Sequence, residues 1–173
     1  MIVFLESDRL ILRQFVENDI DNLFDLNSDS EVMRYINGGL PTSYHDIKES
    51  LSKNIAAYEK NADLGFWVAI EKTSNKFIGW FHFLTTTNFD YLAEFNLVTG
   101  DEIALGYRLR RASWHKGFAT EGSKAIIAKG FSELGVTKVV SWALIENKAS
   151  IRVMEKVGLR REKEFCFTEN QLP

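Results

Sequence analysis

Apolar and polar residues alternate over 9–15, where Leu10 and Leu12 are set against Ile11 and Arg13, and this spacing predicts a strand. The period then changes. Ile20, Leu23 and Phe24 fall on one side of a helix over 17–26, and Val32, Met33 and Ile36 continue the pattern over 30–36 until Gly38-Gly39 breaks it. Ile47, Leu51, Ile55 and Tyr58 recur at helical spacing over 43–60. Residues 66–70 and 77–84 predict strands joined by the turn Thr73-Ser74-Asn75-Lys76. A loop with aromatics follows over 88–100, then a strand over 103–109. Ile127, Phe131 and Leu134 mark the stripe of a helix over 118–134, with Gly135 as its cap. Residues 138–145 are apolar on both faces apart from Ser141, the pattern of a central strand covered on both sides. A helix over 147–157, closed by Gly158, and a last strand over 162–168 complete the chain.

The hairpin calls for antiparallel strands early, and the strand–helix–strand crossover at 103–145 calls for a parallel pair late. The expected fold is therefore α+β, a single domain over 1–173 built on one mixed, mostly antiparallel sheet flanked by helices. A chain of 173 residues is long enough for one domain with a real core.

Composition narrows the function. Hydrophobic residues make up 45%, an ordinary value for a globular protein. The net charge of −3, from 21 basic and 24 acidic residues, argues against a nucleic-acid partner, although Arg108, Arg110, Arg111 and Lys116 form a local basic patch. No apolar run reaches the ~18 residues of a membrane span. The first residues lack the basic start and cleavage site of a secretory leader. The single cysteine, Cys166, cannot form an internal disulfide and reads as a small apolar strand residue between Phe165 and Phe167. These features make a cytoplasmic protein the expectation. No His/Cys/Asp cluster has metal-ligand spacing, so no metal is expected. His82 shares a strand face with Ile78, Trp80 and Leu84 and reads as a packed or rim histidine; His45, at a helix start, reads as exposed.

The chemistry concentrates in residues 106–158. Gly106-Tyr107-Arg108-Leu109 runs into Trp114-His115-Lys116-Gly117-Phe118-Ala119-Thr120-Glu121, and Asn147 to Gly158 follows thirty residues later. A strand that enters a helix through a small-residue turn makes an anion site, because the first helical N–H groups have no partner and the helix dipole is positive there. Such a turn suits a phosphorylated cofactor.

These motifs, together with Glu6-Ser7-Asp8-Arg9-Leu10-Ile11-Leu12-Arg13 and Asp29-Ser30-Glu31-Val32-Met33-Arg34-Tyr35-Ile36, resemble the GNAT superfamily of acyl-CoA-dependent N-acyltransferases. The likeness covers essentially the whole chain and is nearest to the branch of ribosomal-protein alanine N-acetyltransferases and their small-molecule relatives. It implies a GNAT fold whose sheet splays at the cofactor site, acetyl-CoA as cosubstrate, and an amine acceptor. It also implies roles residue by residue. The main chain at Trp114, His115, Lys116, Gly117, Phe118, Ala119 and Thr120 would cradle the pyrophosphate. The main chain of Tyr107 and Leu109 would bind the pantetheine arm and thioester oxygen, and Asn147 the pantetheine arm as well, besides serving as a helix N-cap. Ser150 would protonate the leaving thiolate or be a helix-surface serine. The sequence departs from the pattern at Trp114, where many members have Gln or Arg, and at His115, where Gly is common; His115 is either an exposed turn residue or a phosphate contact.

Amine acetylation needs a neutral amine, a polarised carbonyl and a protonated leaving thiolate. Members of the family often carry Glu two residues before the strand glycine, and here that position is Ala104. Glu102, ~7 Å further back on the same face, either acts as base through water or is a surface carboxylate. An α-amine with pKa about 7.8 is roughly a tenth neutral at pH 7, whereas a lysine amine near 10.4 is neutral only a few times in ten thousand. A site with a weak base therefore favours an α-amine or another amine of low pKa. The rival expectation is a catalytically weak module that binds acyl-CoA without turnover. A nucleotide-binding regulator lacks the glycine motifs it would need. The acceptor and the choice between monomer and homodimer stay open at this stage.

Overall fold

The computed structural model describes residues 2–89, 91–92 and 98–166. Six strands form one sheet in sequence order, β1 (Val3–Glu6), β2 (Leu10–Gln14), β3 (Gly65–Glu71), β4 (Lys76–Thr85), β5 (Ile103–Leu109) and β6 (Val139–Val140). All neighbours are antiparallel except β5 and β6, which pair in parallel through Ile103↔Val139 and Ala104↔Val140. Helices α1 (Ile20–Ser28), α2 (Ser30–Asn37) and α3 (Tyr44–Ala57) lie between β2 and β3, α4 (Phe118–Glu133) between β5 and β6, and α5 (Lys148–Lys156) after β6. This is the mixed sheet and crossover that the hydrophobic periods predict.

Local chemistry explains the element ends. Asp29 caps α2 by accepting from the Glu31 N–H, and Gly38, at φ 77°, ends it in the left-handed conformation. Ser43 caps α3 by accepting from the Asp46 N–H. Asn75, at φ 54°, turns the β3–β4 hairpin. Leu10, Leu12, Trp67, Val68, Phe81, Phe83 and Ile126 are buried in a single core that lies on both sides of the sheet.

Four expectations are corrected. Val3–Glu6 adds a first strand that the alternation over 9–15 did not include. The strand expected over 138–145 pairs only at Val139–Val140, at the sheet edge, and Leu144 and Ile145 beyond it are exposed. An apolar run reports a readiness to be covered, and ladder pairing needs a neighbour in register. The last expected strand could be that neighbour, but residues 162–166 form no strand; 167 and 168 lie outside the described residues. Cys166 is correspondingly exposed rather than a packed strand residue.

The stripe of α4 is also rotated from the expected one. Phe131 is 51% exposed, while Phe118, Gly122, Ser123, Ile126 and Gly130 are buried. The reason is close approach. A Cβ on Gly122 would stand 2.3 Å from Phe81 Cζ, and one on Gly130 would stand 2.7 Å from Phe83 Cζ. Two rings from β4 dock against bare backbone, and this sets the helix low on the sheet beside β5.

Candidate active site

The free edge of β5 comes first. Ile103 N–H donates to Lys138 O on the β6 side, whereas Arg110 N–H donates to Ile78 O on the β4 side. Alternation then sends the odd-numbered main-chain groups of β5 away from β4. Because β6 stops pairing at Val140, Tyr107 and Leu109 present N–H groups to an edge that has no strand partner among the described residues. Parting of β5 from β6 thus exposes the same donors that the sequence nominated.

The second part is the turn into α4. Arg111–Ser113 makes a short 3-10 turn, His115 sits at φ 60° and Gly117 at φ 84°, and the first helical bond runs from Glu121 N–H to Gly117 O. Among the described residues the N–H groups of His115, Lys116, Gly117, Phe118, Ala119 and Thr120 donate to no protein acceptor. Six adjacent amides at the positive end of a 16-residue helix form a nest for an anion. Trp114 is a correction. Its N–H already donates to Arg111 O at 3.1 Å, and its indole Nε1 donates to Leu109 O at 2.8 Å. Trp114 therefore ties the turn to the end of β5 and offers no amide to a ligand. His115 and Lys116 are exposed.

Sequence reasoning gave no role to the residues that hold this turn. Glu121 accepts from Ser7 Oγ at 2.8 Å, Arg9 N–H at 2.7 Å and Arg9 Nε at 2.6 Å. Burial raises the Glu121 pKa, but the hydrogen bonds and charge of Arg9 and Ser7 outweigh it and hold the carboxyl below its ordinary value. Arg9 also donates from Nη1 to Lys116 O at 2.9 Å and lies over the Phe118 ring. The β1–β2 turn thereby clamps both the loop and the first helical turn. The signal in the sequence was Ser7, Arg9 and Glu121 themselves; what paired them was a separation of more than a hundred residues.

The third part is α5. Asn147 accepts from the Ser150 N–H at 3.1 Å, so the helix cap is observed. Ser150 Oγ faces the Tyr107 hydroxyl at 3.5 Å across the gap beside β5. Burial raises the Tyr107 pKa, and the Ser150 contact opposes that. A crevice lined by Leu105, Tyr107, Ser123, Met154 and Val157 continues between α4 and α5. Ser123 is 1% exposed and its hydroxyl has no partner, so this apolar crevice contains one unclaimed donor and acceptor.

Glu102 does not join these parts as a base or as a surface carboxylate. It is 2% exposed and accepts from Thr99 N–H, Thr99 Oγ1, Gly100 N–H and Lys138 Nζ. Burial pushes its pKa up, but hydrogen bonds from its own main chain, Thr99 and Lys138 prevail and bring it to about 2. A carboxylate so held stays ionised and fixes the loop ahead of β5. Ala104 is fully buried. His82 is buried too, with its pKa lowered to about 3 by burial and by the nearby Arg108 charge. Among the described residues no group of His, Cys, Asp and Glu could hold a metal ion, and no helix is long and apolar enough to cross a membrane.

The arrangement can receive an extended ligand. Amides 115–120 could receive an anion and the free edge of β5 a hydrogen-bonding chain, with Ser150 facing Tyr107 beside that edge. Residues 9–160 match the model of the acetyltransferase (GNAT) domain. The chain is 30% identical over 161 residues to the uncharacterized N-acetyltransferase YnaD of Bacillus subtilis, covering 93% of this chain and 85% of that protein. A GNAT-family acetyltransferase structure from Bacillus anthracis is 27% identical, with a TM-score of 0.78, over 96% of this chain and 89% of that one. RimL, a ribosomal alpha-N-protein acetyltransferase solved with coenzyme A, shares the fold at 16% identity and a TM-score of 0.71, over 90% of this chain and 82% of that one. With its sheet, its parted edge and its amide nest in place, the chain belongs to the GNAT acetyltransferase family and is an acyltransferase.

Proposed function

We propose that this protein transfers an acetyl group from acetyl-CoA to a primary amine, either a protein N-terminal α-amine or a small-molecule amine, by direct attack. The observation that carries this reading is the run of six unpaired amides from His115 to Thr120, continuous with the free edge of β5 and ending at Ser150. When bound, acetyl-CoA supplies an activated thioester. The chain's own residues do the rest. Amides 115–120 hold the pyrophosphate, and the main chain of Tyr107 and Leu109 aligns the arm. An edge N–H donates to the thioester oxygen and stabilises the charge that develops there. Asn147 caps α5 and orients Ser150, whose hydroxyl gives its proton to the departing sulfur as the C–S bond breaks and the N–C bond forms, while the proton lost by the attacking nitrogen passes through solvent and restores the serine hydroxyl.

Among the described residues no side chain near this edge serves as a strong base. Glu102 is locked in its loop, and its depressed pKa makes it a poor proton acceptor. The amine must therefore arrive neutral, which favours an α-amine or a small amine of low pKa. A pH–rate profile tests this. The limb that rises with pH should move with the pKa of the amine when two acceptors are compared; a rising limb fixed for both acceptors would show an enzymic base. A RimL-like choice of protein N-termini is the finer form of the proposal. It predicts turnover of peptides that begin with Ala or Ser. Action in the cytoplasm, as a single-domain monomer or homodimer, belongs to the same reading.

The locked Glu102 and Ala104 also favour a second reading, a module that binds acyl-CoA with little turnover. Thiol release over an amine panel separates the two. A pure binder shows a CoA-dependent melting shift and no product.

A further inference from the structure

The other face of β5 contains a half-buried cation that has no carboxylate partner among the described residues. Three arginines follow one another at the end of β5 and meet α1 and the start of α2. Arg110 lies 3.6 Å from Asp25, and Arg111 lies 3.4 Å from Asp29. Arg108, deeper than either, donates from Nη1 to the neutral Asn27 Oδ1 at 2.5 Å. Its plane stacks 5.0 Å from the Trp80 ring centroid, and its Nε is buried without an acceptor. Among the described residues it has no acidic partner. Burying an unpaired charge is costly, and stacking on one indole offsets only part of that cost.

A second orphan lies beside it. His82 is 9% exposed and its Nδ1 has no partner among the described residues. Its ring crosses β5 at Gly106, where a Cβ would stand 2.0 Å from Nε2. Half-buried rings continue the surface, with Phe66 5.2 Å from Trp80, and Phe89 5.4 Å from His82 and 4.9 Å from Trp142. Helix α4 covers the opposite face of β4 and β5, where Phe81 and Tyr107 point. On the proposed reading, with the thioester at the Tyr107 edge, the attacking amine approaches from the face of Gly106 and Arg108.

We infer that Arg108, flanked by Trp80 and His82, is an anion-recognising subsite for the acceptor, and that the acceptor is an amine bearing a carboxylate or phosphate. A guanidinium that lacks a carboxylate among the described residues retains donors for one supplied by a ligand. The inference rests on the acetyl-transfer reading for the direction of approach; its charge argument stands by itself.

Matched acceptors test it. Alanyl-phenylalanine is compared with its C-terminal amide, and phosphoethanolamine with ethanolamine, in a thiol-release assay on the wild type, Arg108→Gln and Arg108→Lys. In at least one pair the wild type should prefer the anionic member by about ten- to a hundredfold in kcat/KM, the range of one charge-assisted contact. Whichever pair shows the preference tells carboxylate from phosphate. Arg108→Gln should erase the preference mainly through KM while the CoA melting shift persists. Arg108→Lys, which keeps the charge and loses the fork, should retain part of it, and it decides the matter if the glutamine variant does not fold. Equal use of both members in both pairs, or a preference that survives Arg108→Gln, overturns the subsite. If no amine is acetylated, the acetyl-transfer reading falls, and melting shifts of the CoA-loaded protein with the same four compounds decide. A larger shift with an anionic member that is lost in Arg108→Gln upholds the subsite, and equal shifts reject it.

Discussion

Ser150, in the first turn of α5, and Glu102, just ahead of β5, are both polar residues nominated for the chemistry, yet the structure separates their roles. Among the described residues Ser150 Oγ meets only the Tyr107 hydroxyl, which donates to it at 3.5 Å, so the serine keeps a proton to give. Ser150→Ala should lower kcat about a hundredfold, the lower end of general-acid effects, and leave the CoA melting shift intact; unchanged kcat would remove the serine from the reaction. Glu102 is held by four donor groups, which makes it structural. Its folded pKa lies below its unfolded one. The stability it contributes is therefore complete above the ordinary carboxylate pKa and fades as pH falls towards about 2. Glu102→Gln should cost about 1–3 kcal/mol at pH 7 and flatten the acid limb of a denaturation series between roughly pH 4.5 and 2. The sequence nominated Ser150 by its place in a motif. It could not show that Glu102 was occupied, because the occupants include Lys138, brought in by the crossover.

At the scale of elements, α4 joins the core to the cofactor site. Its starting turn uses Gly117 at φ 84°, and an L side chain there costs about 1–2 kcal/mol and would bring a Cβ within 3.3 Å of Arg9 Nη2. Gly117→Ala should weaken CoA binding by roughly an order of magnitude, read by calorimetry. Further along, Gly122→Ala forces a Cβ into the Phe81 ring. It should lower the urea midpoint by an amount equal to about 1–3 kcal/mol, with the slope of the transition unchanged. A substitution at Gly122 without stability loss would mean that the helix can ride higher on the sheet. The helix itself was legible in the sequence and its buried stripe was not. Apolar periodicity favours large side chains such as Phe131, whereas contact here depends on having no side chain at all.

For the molecule as a whole, pH dependence reports on the buried aromatic face of β4 and β5. His82 is neutral in the folded state, with a pKa of about 3 against an ordinary value near 6.5 in the unfolded chain. The unfolded state thus binds the extra proton first. Stability should be level above about pH 6.5 and fall by up to about 1.4 kcal/mol per pH unit below it, until the folded state protonates near pH 3. His82→Asn should remove that slope in urea melts between about pH 6.5 and 4.5, above the range in which Glu102 contributes. A slope that survives the substitution would assign it to other groups.

The sequence by itself determined the parts that depend on neighbours along the chain: the alternation of β2 to β5, the capped helices, the glycine turn into α4, and the order that makes one crossover parallel. These follow from backbone sterics and from the period at which side chains face a core. Only the tertiary structure decided what depends on distant residues meeting. It shortened β6 to two paired residues, clamped the turn into α4 with Ser7, Arg9 and Glu121, sealed Glu102 in its loop, and left Arg108 against an amide instead of a carboxylate. Hydrogen-bond satisfaction and burial belong to pairs and clusters in space, so no reading along one dimension could assign them.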